Sequence, residues 1–331
     1  MECGSVKVEK KSTVLRRLLN GPGCLRVMFG SVAHHAQLAE YAGFKAFGLS
    51  GSKVSSWLYG LPDAGYLTQT ELVENVRNIC NAVKIPVLVD ADTGHGNALG
   101  ARRTVQLLIQ AGAGGCFIED QKAPKRCGFV KGKQLISIEE AAGKYRAVCD
   151  LRDELDPDFI IMARTDARGA VGGSLEECIR RGKAYKEAGV DVLYVEALQS
   201  REELRAFREA IPNILFRVTE SAIKPPMTAK EKDESGMCMT SIHFANVGTV
   251  SMYDFLVDFR ERGEEAWNEF NEKTKKHPLG GLGVFDLTGF PAVVKLEEKY
   301  LPKEELDKYS EPSLGLYDPH IGRAGQLKNE R

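Results

Sequence analysis

The stretch Ile85-Pro-Val-Leu-Val-Asp-Ala-Asp-Thr-Gly-His-Gly-Asn97 joins a short apolar run to a polar loop that contains glycine. Val87 to Val89 is apolar throughout and rich in valine, which is typical of a strand buried on both faces. A helical pattern follows from Ala101 to Ala111, and after its glycine boundary comes a second apolar run, Cys116 to Ile118. The segment therefore predicts a strand–helix–strand unit with acidic residues after both strands.

This unit recurs along the chain. Apolar runs predict eight strands, at 27–30, 46–49, 87–89, 116–118, 159–162, 192–195, 214–216 and 241–244. Eight strands alternating with helices over about 250 residues predict an α/β fold of the (β/α)₈ TIM-type barrel class. An open doubly wound sheet is the alternative fold. It is disfavoured because no G-x-G-x-x-G fingerprint follows the first strand.

The residues after the eighth strand lie outside the repeating pattern. They predict one long amphipathic helix from about Ser251 to Lys276, a glycine-rich stretch at 278–283 and a shorter helix at 292–300. We therefore predict a barrel domain at 1–250 and a C-terminal helical arm at 251–331. The arm is expected to pack on a neighbouring subunit, with packing on its own barrel as the alternative.

The composition excludes several classes of protein. The chain has 331 residues, of which 43% are hydrophobic, and a formal net charge of −1. A surface that follows nucleic-acid phosphates usually has a basic excess, so no nucleic-acid partner is expected. No run has the length of a membrane span, and the N-terminus lacks the apolar stretch of a secretory signal. With eight scattered cysteines and no C-x-x-C pair, a cytoplasmic protein with reduced thiols is expected.

Polar residues stand where the predicted strands end, and in barrels of this class the reactive side chains lie at that edge. They are Ser50-Gly51-Ser52, Asp90 and Asp92, Glu119-Asp120, Arg164, Glu196, and Arg217 with Thr219 and Glu220. Asp90 and Asp92 are two residues apart, so an extended backbone would turn both side chains to one face. So many carboxylates would repel one another without a cation, and oxygen ligands favour Mg²⁺ or Mn²⁺ over zinc. The alternative is that each acid caps the helix that follows it.

Residues 121–133 are polar and basic and contain proline and glycine, which predicts a loop over the barrel mouth. We call this segment the mouth loop. Cys127 lies beside Lys125 and Arg126, and nearby cations are expected to lower the pKa of its thiol toward neutrality, as suits a proton donor or acceptor. The alternative is an inert structural cysteine, which is how the other seven are interpreted. His243 is placed inside the eighth strand as a core histidine.

Several of these motifs resemble the isocitrate lyase/phosphoenolpyruvate mutase superfamily. They are Asp90-Ala-Asp-Thr-Gly-His-Gly-Asn97, Ile118-Glu-Asp-Gln121, Pro124-Lys-Arg-Cys-Gly128, Leu61-Pro-Asp63 and Met162-Ala-Arg-Thr-Asp-Ala167. The resemblance runs from about Leu15 to Phe270 and is closest to the lyase branch. That branch includes methylisocitrate lyase, dimethylmalate lyase and oxaloacetate hydrolases.

The resemblance implies a cofactor and a set of site residues. It implies Mg²⁺, with Mn²⁺ as a substitute, at Asp90, with Asp63, Asp92 and Glu119 contributing directly or through water. The residues expected to bind a small carboxylate substrate are Ser50, Gly51, Ser52, Gly128, Arg164, Arg217 and Thr219. The expected catalytic residues are Cys127 as acid/base, Lys125, Arg164 and Glu196, the first two on a gating loop. The resemblance also implies a homotetramer, a dimer of dimers that exchanges a C-terminal helix.

Two positions depart from the lyase pattern. Phe129 stands where these lyases usually have histidine, and Arg217 stands where they often have asparagine. Both positions help to bind the leaving half of the substrate in those lyases, so they leave the distal end of the substrate open.

The resemblance implies a Mg²⁺-dependent C–C lyase, or a hydrolase of the same lineage, acting on a 2-hydroxy- or 2-oxo-carboxylate. Its substrate would be of the methylisocitrate, dimethylmalate or oxaloacetate type, and its product an α-keto acid or oxalate. The alternatives are a P–C bond enzyme, like phosphoenolpyruvate mutase or phosphonopyruvate hydrolase, and a carboxylate-binding barrel without activity.

Overall fold

The protein contains the predicted set of eight strands. The structure is a computed structural model and describes residues 9–307 and 315–329. The strands are β1 (Leu25–Gly30), β2 (Phe47–Leu49), β3 (Val87–Asp90), β4 (Gly115–Glu119), β5 (Ile160–Thr165), β6 (Val192–Val195), β7 (Leu215–Val218) and β8 (Met239–Ile242). The first seven overlap their predicted positions closely. The eighth begins and ends two residues earlier than predicted, so the placement of His243 inside a strand was wrong.

The strands form one parallel sheet that curves into a barrel. Their order is β7-β6-β5-β4-β3-β2-β1-β8, with β8 paired in parallel to β1. The remaining seam, between β7 and β8, is bridged by the backbone hydrogen bond from Cys238 N–H to the Phe216 carbonyl, at 2.9 Å. The predicted (β/α)₈ barrel is confirmed.

Helices connect successive strands. Those in and beside the barrel are α1 (Lys11–Leu19), α2 (Ala33–Tyr41), α3 (Gly51–Tyr59), α4 (Gln69–Ala82), α5 (Ala98–Gln110), α6 (Ile138–Leu155), α7 (Leu175–Glu187), α8 (Arg201–Ala210) and α9 (Ala229–Glu234). Two helices connect β2 to β3. The first, α3, begins directly after β2, and α4 completes the crossover. The N-terminus of α3 is thereby placed at the carboxyl end of the sheet.

Side chains alternate between the barrel interior and the layer beneath the helices, because successive residues of a strand point to opposite faces. On β6, Leu193 and Val195 pack in the outer cluster with the helices, whereas Val192 and Tyr194 pack in the inner cluster. Leu15 and Leu19 of α1 join that inner cluster. This alternation determines which residues at the strand ends point into the barrel mouth.

The chain divides into two compact units, residues 1–245 and 246–331. The long helix predicted from Ser251 to Lys276 is instead two helices, α10 (Ala245–Arg262) and α11 (Glu264–Thr274). They are separated at Gly263, whose φ of 61° lies in the left-handed region that interrupts a helix. The remaining helices are α12 (Val284–Leu287), α13 (Phe290–Tyr300), α14 (Lys303–Asp307) and α15 (Gly322–Asn329). In the described ranges, no helix has both the length and the apolarity to span a bilayer.

Candidate active site

Two acidic residues, Asp90 and Asp92, lie at the carboxyl end of β3. Asp90 ends β3, and its two carboxylate oxygens accept hydrogen bonds from the N–H groups of Gly51 (3.0 Å) and Asp92 (3.2 Å). Asp92 has a φ of +49°, so it lies in a turn and the expectation of an extended backbone there was wrong. A side chain at Gly51 would lie 3.0 Å from Asp92 Oδ1 and 3.4 Å from Asp90 Oδ2. The turn therefore still brings both carboxylates to the N-terminus of α3.

Lys125 of the mouth loop reaches these carboxylates. Its ammonium is ion-paired with Asp63 and lies 2.7 Å from Asp92 Oδ1. Although burial alone would lower the pKa of Lys125, the surrounding carboxylates, Asp92 and Glu119 foremost, raise it. The lysine is therefore held as a cation within the acidic cluster.

Burial disfavours the charged form of these carboxylates. Burial, followed by the charge of Asp92, raises the pKa of Asp90 to about 6. Burial also raises the pKa of Asp92 and raises that of Glu119 well above its usual range. Glu119 is 1% exposed. Among the described residues, neither of its carboxylate oxygens has a hydrogen-bond partner. Lys125 and Arg164 compensate these carboxylates only in part, so the buried acidic cluster is suited to binding a further cation.

The arrangement fits a hard divalent cation that keeps water ligands. Within the described part of the chain, no group of three acidic, histidine or cysteine side chains encloses a metal position. Mg²⁺ characteristically binds one or two carboxylates and retains several waters. Asp90 would be the direct ligand, with Asp63, Asp92 and Glu119 available through water.

Arg164 connects the acids of three strands. Its guanidinium lies 3.1 Å from Glu119 Oε2 and 3.8 Å from Glu196 Oε2, and it donates to both oxygens of Asp166 at 3.0 and 3.1 Å. Burial would lower its pKa, but Asp166 and Glu119 raise it well above the usual value. Glu196 also accepts hydrogen bonds from Tyr194 (2.8 Å) and Thr219 (2.7 Å). Arg164 is therefore a fixed cation at the centre of the mouth.

The mouth loop places Cys127 over the acidic cluster. Its N–H donates to the Asp63 carbonyl at 3.2 Å, and its side chain is partly buried. The expected lowering of its pKa is wrong: burial foremost, together with Asp63, raises the pKa of the thiol, and Lys125 only partly opposes this. The ammonium of Lys125 is engaged by Asp63 and Asp92, so it does not serve the thiol alone. A raised pKa keeps Cys127 protonated at neutral pH, as a proton donor requires.

These residues surround one small cavity. It is lined by ten of the predicted site residues, Ser50, Ser52, Asp63, Asp90, Cys127, Gly128, Arg164, Glu196, Arg217 and Thr219. The other four, Gly51, Asp92, Glu119 and Lys125, adjoin this lining through the contacts above. In this conformation the cavity has a volume of about 50 Å³, which is space for only a few waters.

Arg217 is the most unusual residue of the lining. Its side chain is 1% exposed, and its guanidinium lies 3.8 Å above the centre of the Tyr194 ring. It donates to Ser241 Oγ at 3.1 Å, and its Nε has no hydrogen-bond partner in the described chain. No described carboxylate forms an ion pair with it. A buried guanidinium with only neutral partners is suited to an anion supplied from outside the chain.

The sequence interpretation missed five residues of the lining, which are Phe29, Phe117, Tyr194, Ser241 and His243. His243 follows β8 instead of lying within it, and its buried Nδ1 has no hydrogen-bond partner in the described residues. Burial, and then the positive charge of Arg217, lowers its pKa to about 4. The alternation of side chains could have identified Phe117 and Tyr194, because each lies two residues before a predicted site acid and so faces the same side.

Curated relatives of this chain include two lyases and a decarboxylase. The 2,3-dimethylmalate lyase of Eubacterium barkeri is 40% identical over 278 residues, which are 81% of this chain and 91% of that enzyme. The 2-methylisocitrate lyase of Bacillus subtilis (strain 168) is 35% identical over 82% of this chain and 89% of that enzyme. The oxaloacetate decarboxylase of Bradyrhizobium diazoefficiens is 43% identical over 66% of this chain and 75% of that enzyme.

Solved structures of the same fold include enzymes of both C–C and P–C chemistry. A phosphoenolpyruvate phosphomutase from Streptomyces platensis subsp. rosaceus superposes with a TM-score of 0.79 at 29% identity, covering 89% of this chain and all of that one. A phosphonopyruvate hydrolase in complex with oxalate and Mg²⁺ gives 0.78 at 28% identity, with coverage of 89% and 100%. An oxaloacetate acetylhydrolase bound to 3,3-difluorooxaloacetate gives 0.77 at 26% identity, with coverage of 88% and 98%.

The family model named phosphoenolpyruvate phosphomutase matches residues 15–255. Together with the barrel and the relatives above, this match shows that the chain belongs to the phosphoenolpyruvate mutase/isocitrate lyase superfamily.

Proposed function

We propose that this protein is a Mg²⁺-dependent carbon–carbon lyase, or a hydrolase of the same lineage, acting on a small 2-hydroxy- or 2-oxo-carboxylate. The observation that carries the proposal is the convergence of the acidic cluster, Arg164 and a protonated Cys127 on one cavity. The lyase relatives, at 35–40% identity over four fifths of the chain, support the reaction type. The Mg²⁺ complex of the phosphonopyruvate hydrolase supports the choice of metal.

Different residues of the barrel mouth would have different roles in the reaction. Mg²⁺, held by Asp90 with Asp63, Asp92 and Glu119 directly or through water, would polarise the substrate oxygen next to the carboxylate. Ser50, Gly51 and Ser52 would hold that carboxylate. Arg164 would stabilise the negative charge that develops as the C–C bond breaks.

Proton transfer would complete the reaction. The substrate hydroxyl would give its proton to a base, and its oxygen would become the carbonyl of the leaving fragment as the C–C bond breaks. The electron pair of that bond would stay on the carbon of the enolate-like fragment. Cys127 would give its proton to that carbon and become a thiolate beside Lys125. Glu196 is the remaining proposed catalytic group, held next to Arg164 by Tyr194 and Thr219.

The distal end of the substrate would face Arg217. An anionic group there would supply the counter-charge that the described chain does not. The substrate would be an acid of the oxaloacetate, dimethylmalate or methylisocitrate type, and the product would be oxalate or an α-keto acid. Phe129 is 70% exposed and is part of the cavity lining, so it adds an apolar surface at the edge of the cavity.

A P–C bond enzyme is the second candidate. It is supported by the structural likeness to the phosphomutase and to the phosphonopyruvate hydrolase, and by the absence of the usual lyase histidine at Phe129. A phosphonate dianion would also satisfy Arg217. This chemistry requires no proton donor at Cys127, however, so the protonated thiol over the cavity favours the lyase.

A turnover assay on a panel of acids tests the proposal. The purified protein is incubated with oxaloacetate, 2,3-dimethylmalate, 2-methylisocitrate and phosphonopyruvate, with Mg²⁺, with Mn²⁺ and with excess chelator. We expect metal-dependent cleavage of one of the first three, detected as oxalate or an α-keto acid. Turnover of phosphonopyruvate alone would support the second candidate, and turnover in excess chelator would exclude the metal site.

We also propose a homotetramer, arranged as a dimer of dimers in which the C-terminal arm is exchanged. Within residues 246–331, α10 and α11 expose a series of large apolar side chains, which are Val247, Val250, Tyr253, Leu256, Phe259, Trp267 and Phe270. Exposed apolar surface of this extent is typical of an interface. Light scattering of the intact protein should give four times the chain mass of 36.5 kDa, and Leu256→Glu should reduce it.

A further inference from the structure

Lys133, the last residue of the mouth loop, is buried with 2% of its surface exposed. Its ammonium donates to the Gly128 carbonyl at 2.5 Å and to Asp166 Oδ1 at 3.0 Å. A buried ammonium is costly unless it is paired, so these two contacts determine where the side chain lies. One partner belongs to the mouth loop and the other to the barrel.

Asp166 joins this lysine to Arg164. Its side chain is completely buried. Oδ1, which accepts from Lys133, also accepts a hydrogen bond from Arg164 at 3.1 Å, and Oδ2 accepts a second one from Arg164 at 3.0 Å. Its own N–H donates to Asp120 Oδ1 at 3.1 Å, which fixes its backbone. Asp166 therefore orients Arg164 and Lys133 together.

Gly128 lies against the same arginine. A side chain at this position would come within 2.6 Å of Arg164 Nη2, so only glycine allows the loop to approach so closely. Gly128 directly follows Cys127. If the loop moved away from the barrel, the Gly128 carbonyl would leave the Lys133 ammonium, and one of its two hydrogen bonds would be lost inside the protein.

We propose that Lys133 is a positioning residue that stabilises the closed mouth loop, with Cys127 over the cavity, by joining Gly128 to the Asp166–Arg164 pair. The closed position of the loop and the orientation of Arg164 then depend on each other. This role rests on the proposed function only in that Cys127 and Arg164 act on substrate. Lys133 itself touches neither the cavity nor a reacting atom.

The test compares Lys133→Met, which keeps the length of the side chain but removes its charge, with Lys131→Met, which removes an exposed lysine of the same loop. The measurement is the rate at which iodoacetamide alkylates Cys127, with and without oxalate and Mg²⁺. In the wild type and in Lys131→Met, oxalate with Mg²⁺ should protect the thiol. In Lys133→Met the protected rate should rise about 10-fold or more, the usual effect of losing a hydrogen bond to a charged group.

Kinetics and rescue separate positioning from general loss of structure. With an acid that the wild type cleaves, Lys133→Met should have a lower kcat and a nearly unchanged KM. Lys133→Arg should regain most of the protection from alkylation and most of the kcat. Equal alkylation of Lys133→Met and the wild type, with and without oxalate, would overturn the proposal. If Lys133→Met does not fold, Lys133→Arg and Lys133→Gln are compared instead, and equal protection in that pair would also overturn it.

The alkylation result does not require turnover. If the wild type cleaves none of the acids, the proposed function fails, but the accessibility of Cys127 still decides the role of Lys133. If oxalate with Mg²⁺ gives no protection even in the wild type, the unliganded rates decide: faster alkylation of Lys133→Met supports the coupling, and equal rates exclude it.

Discussion

Replacing Arg217 by methionine should weaken recognition of one end of the substrate without destabilising the protein. The guanidinium is buried at 1% exposure, stacks on Tyr194 at 3.8 Å, donates to Ser241 and leaves its Nε unpartnered among the described groups. Methionine fills a similar volume and also packs well against an aromatic ring. The substitution therefore removes mainly the charge and the hydrogen-bond donors.

The magnitudes follow from these contacts. A hydrogen bond between charged groups contributes about 1.5–3 kcal/mol, so losing one should weaken binding of a distal anion about 10- to 150-fold. For the folded protein, loss of a desolvated cation–π contact costs about 2 kcal/mol. Removing a buried charge without a counter-ion recovers a desolvation penalty of several kcal/mol. We therefore expect an unchanged or higher Tm.

Two ligands test this by calorimetry in the presence of Mg²⁺. On this proposal oxalate would occupy only the metal end of the site, whereas 3,3-difluorooxaloacetate also carries a distal carboxylate. Arg217→Met should weaken binding of the second by one to two orders of magnitude and leave oxalate binding nearly unchanged. Equal loss for both ligands, or none for either, would refute the assignment of Arg217 to the distal group.

Arg181→Met is the matched control for stability. Arg181 is also buried, but it is paired with Asp120 at 3.1 Å and with Glu177 at 2.8 Å. Removing one partner of a buried ion pair typically costs about 3–5 kcal/mol, which would lower the Tm by on the order of 10 °C. If Arg217→Met lowered the Tm as much as Arg181→Met, Arg217 would be a structural residue.

Three further predictions test the rest of the site. Asp90→Ala should remain folded by circular dichroism yet lose metal-dependent turnover, because the proposed direct ligand of Mg²⁺ is gone; substantial turnover would place the metal elsewhere. Cys127→Ser should lower kcat by about 10²–10⁴-fold, the usual effect of losing a general acid, with KM nearly constant, whereas a modest loss would favour P–C chemistry. Trypsin should cleave the mouth loop, which has five basic side chains, more slowly with oxalate and Mg²⁺ present, and equal cleavage would count against a gate.

The barrel could be predicted from the sequence because its signal is local and repeated. Each strand is a short apolar run, and each run is followed by the polar residues that the barrel brings to one edge. Parallel strands share their carboxyl edge, so the proximity of Asp90, Glu119 and Arg164 followed from topology alone. These residues could therefore be placed together although they are far apart along the chain.

The errors arose where a residue's environment depends on distant segments. The pKa of the Cys127 thiol was expected from its sequence neighbours, but burial in the folded mouth loop raises it, and Asp63, on a different loop, engages Lys125 and raises it further. His243 was assigned to a strand because the apolar run around it is nearly symmetrical, and a shift of two residues moved it to the cavity. The break at Gly263 was missed because the amphipathic pattern continues through it.

The charges around the cavity suggest how this site would select its substrate. On the proposed function, the metal and Arg164 bind one end of the acid, and they would do so for any 2-oxo-carboxylate. Arg217, however, is buried beneath the closed mouth loop, so an acid without a distal anion would leave a buried charge unpaired. Sites with buried polar groups of this kind reject incomplete ligands far more strongly than apolar sites do. Selectivity in this protein would then reside in Arg217, a position at which it departs from the related lyases, and not in the acidic cluster.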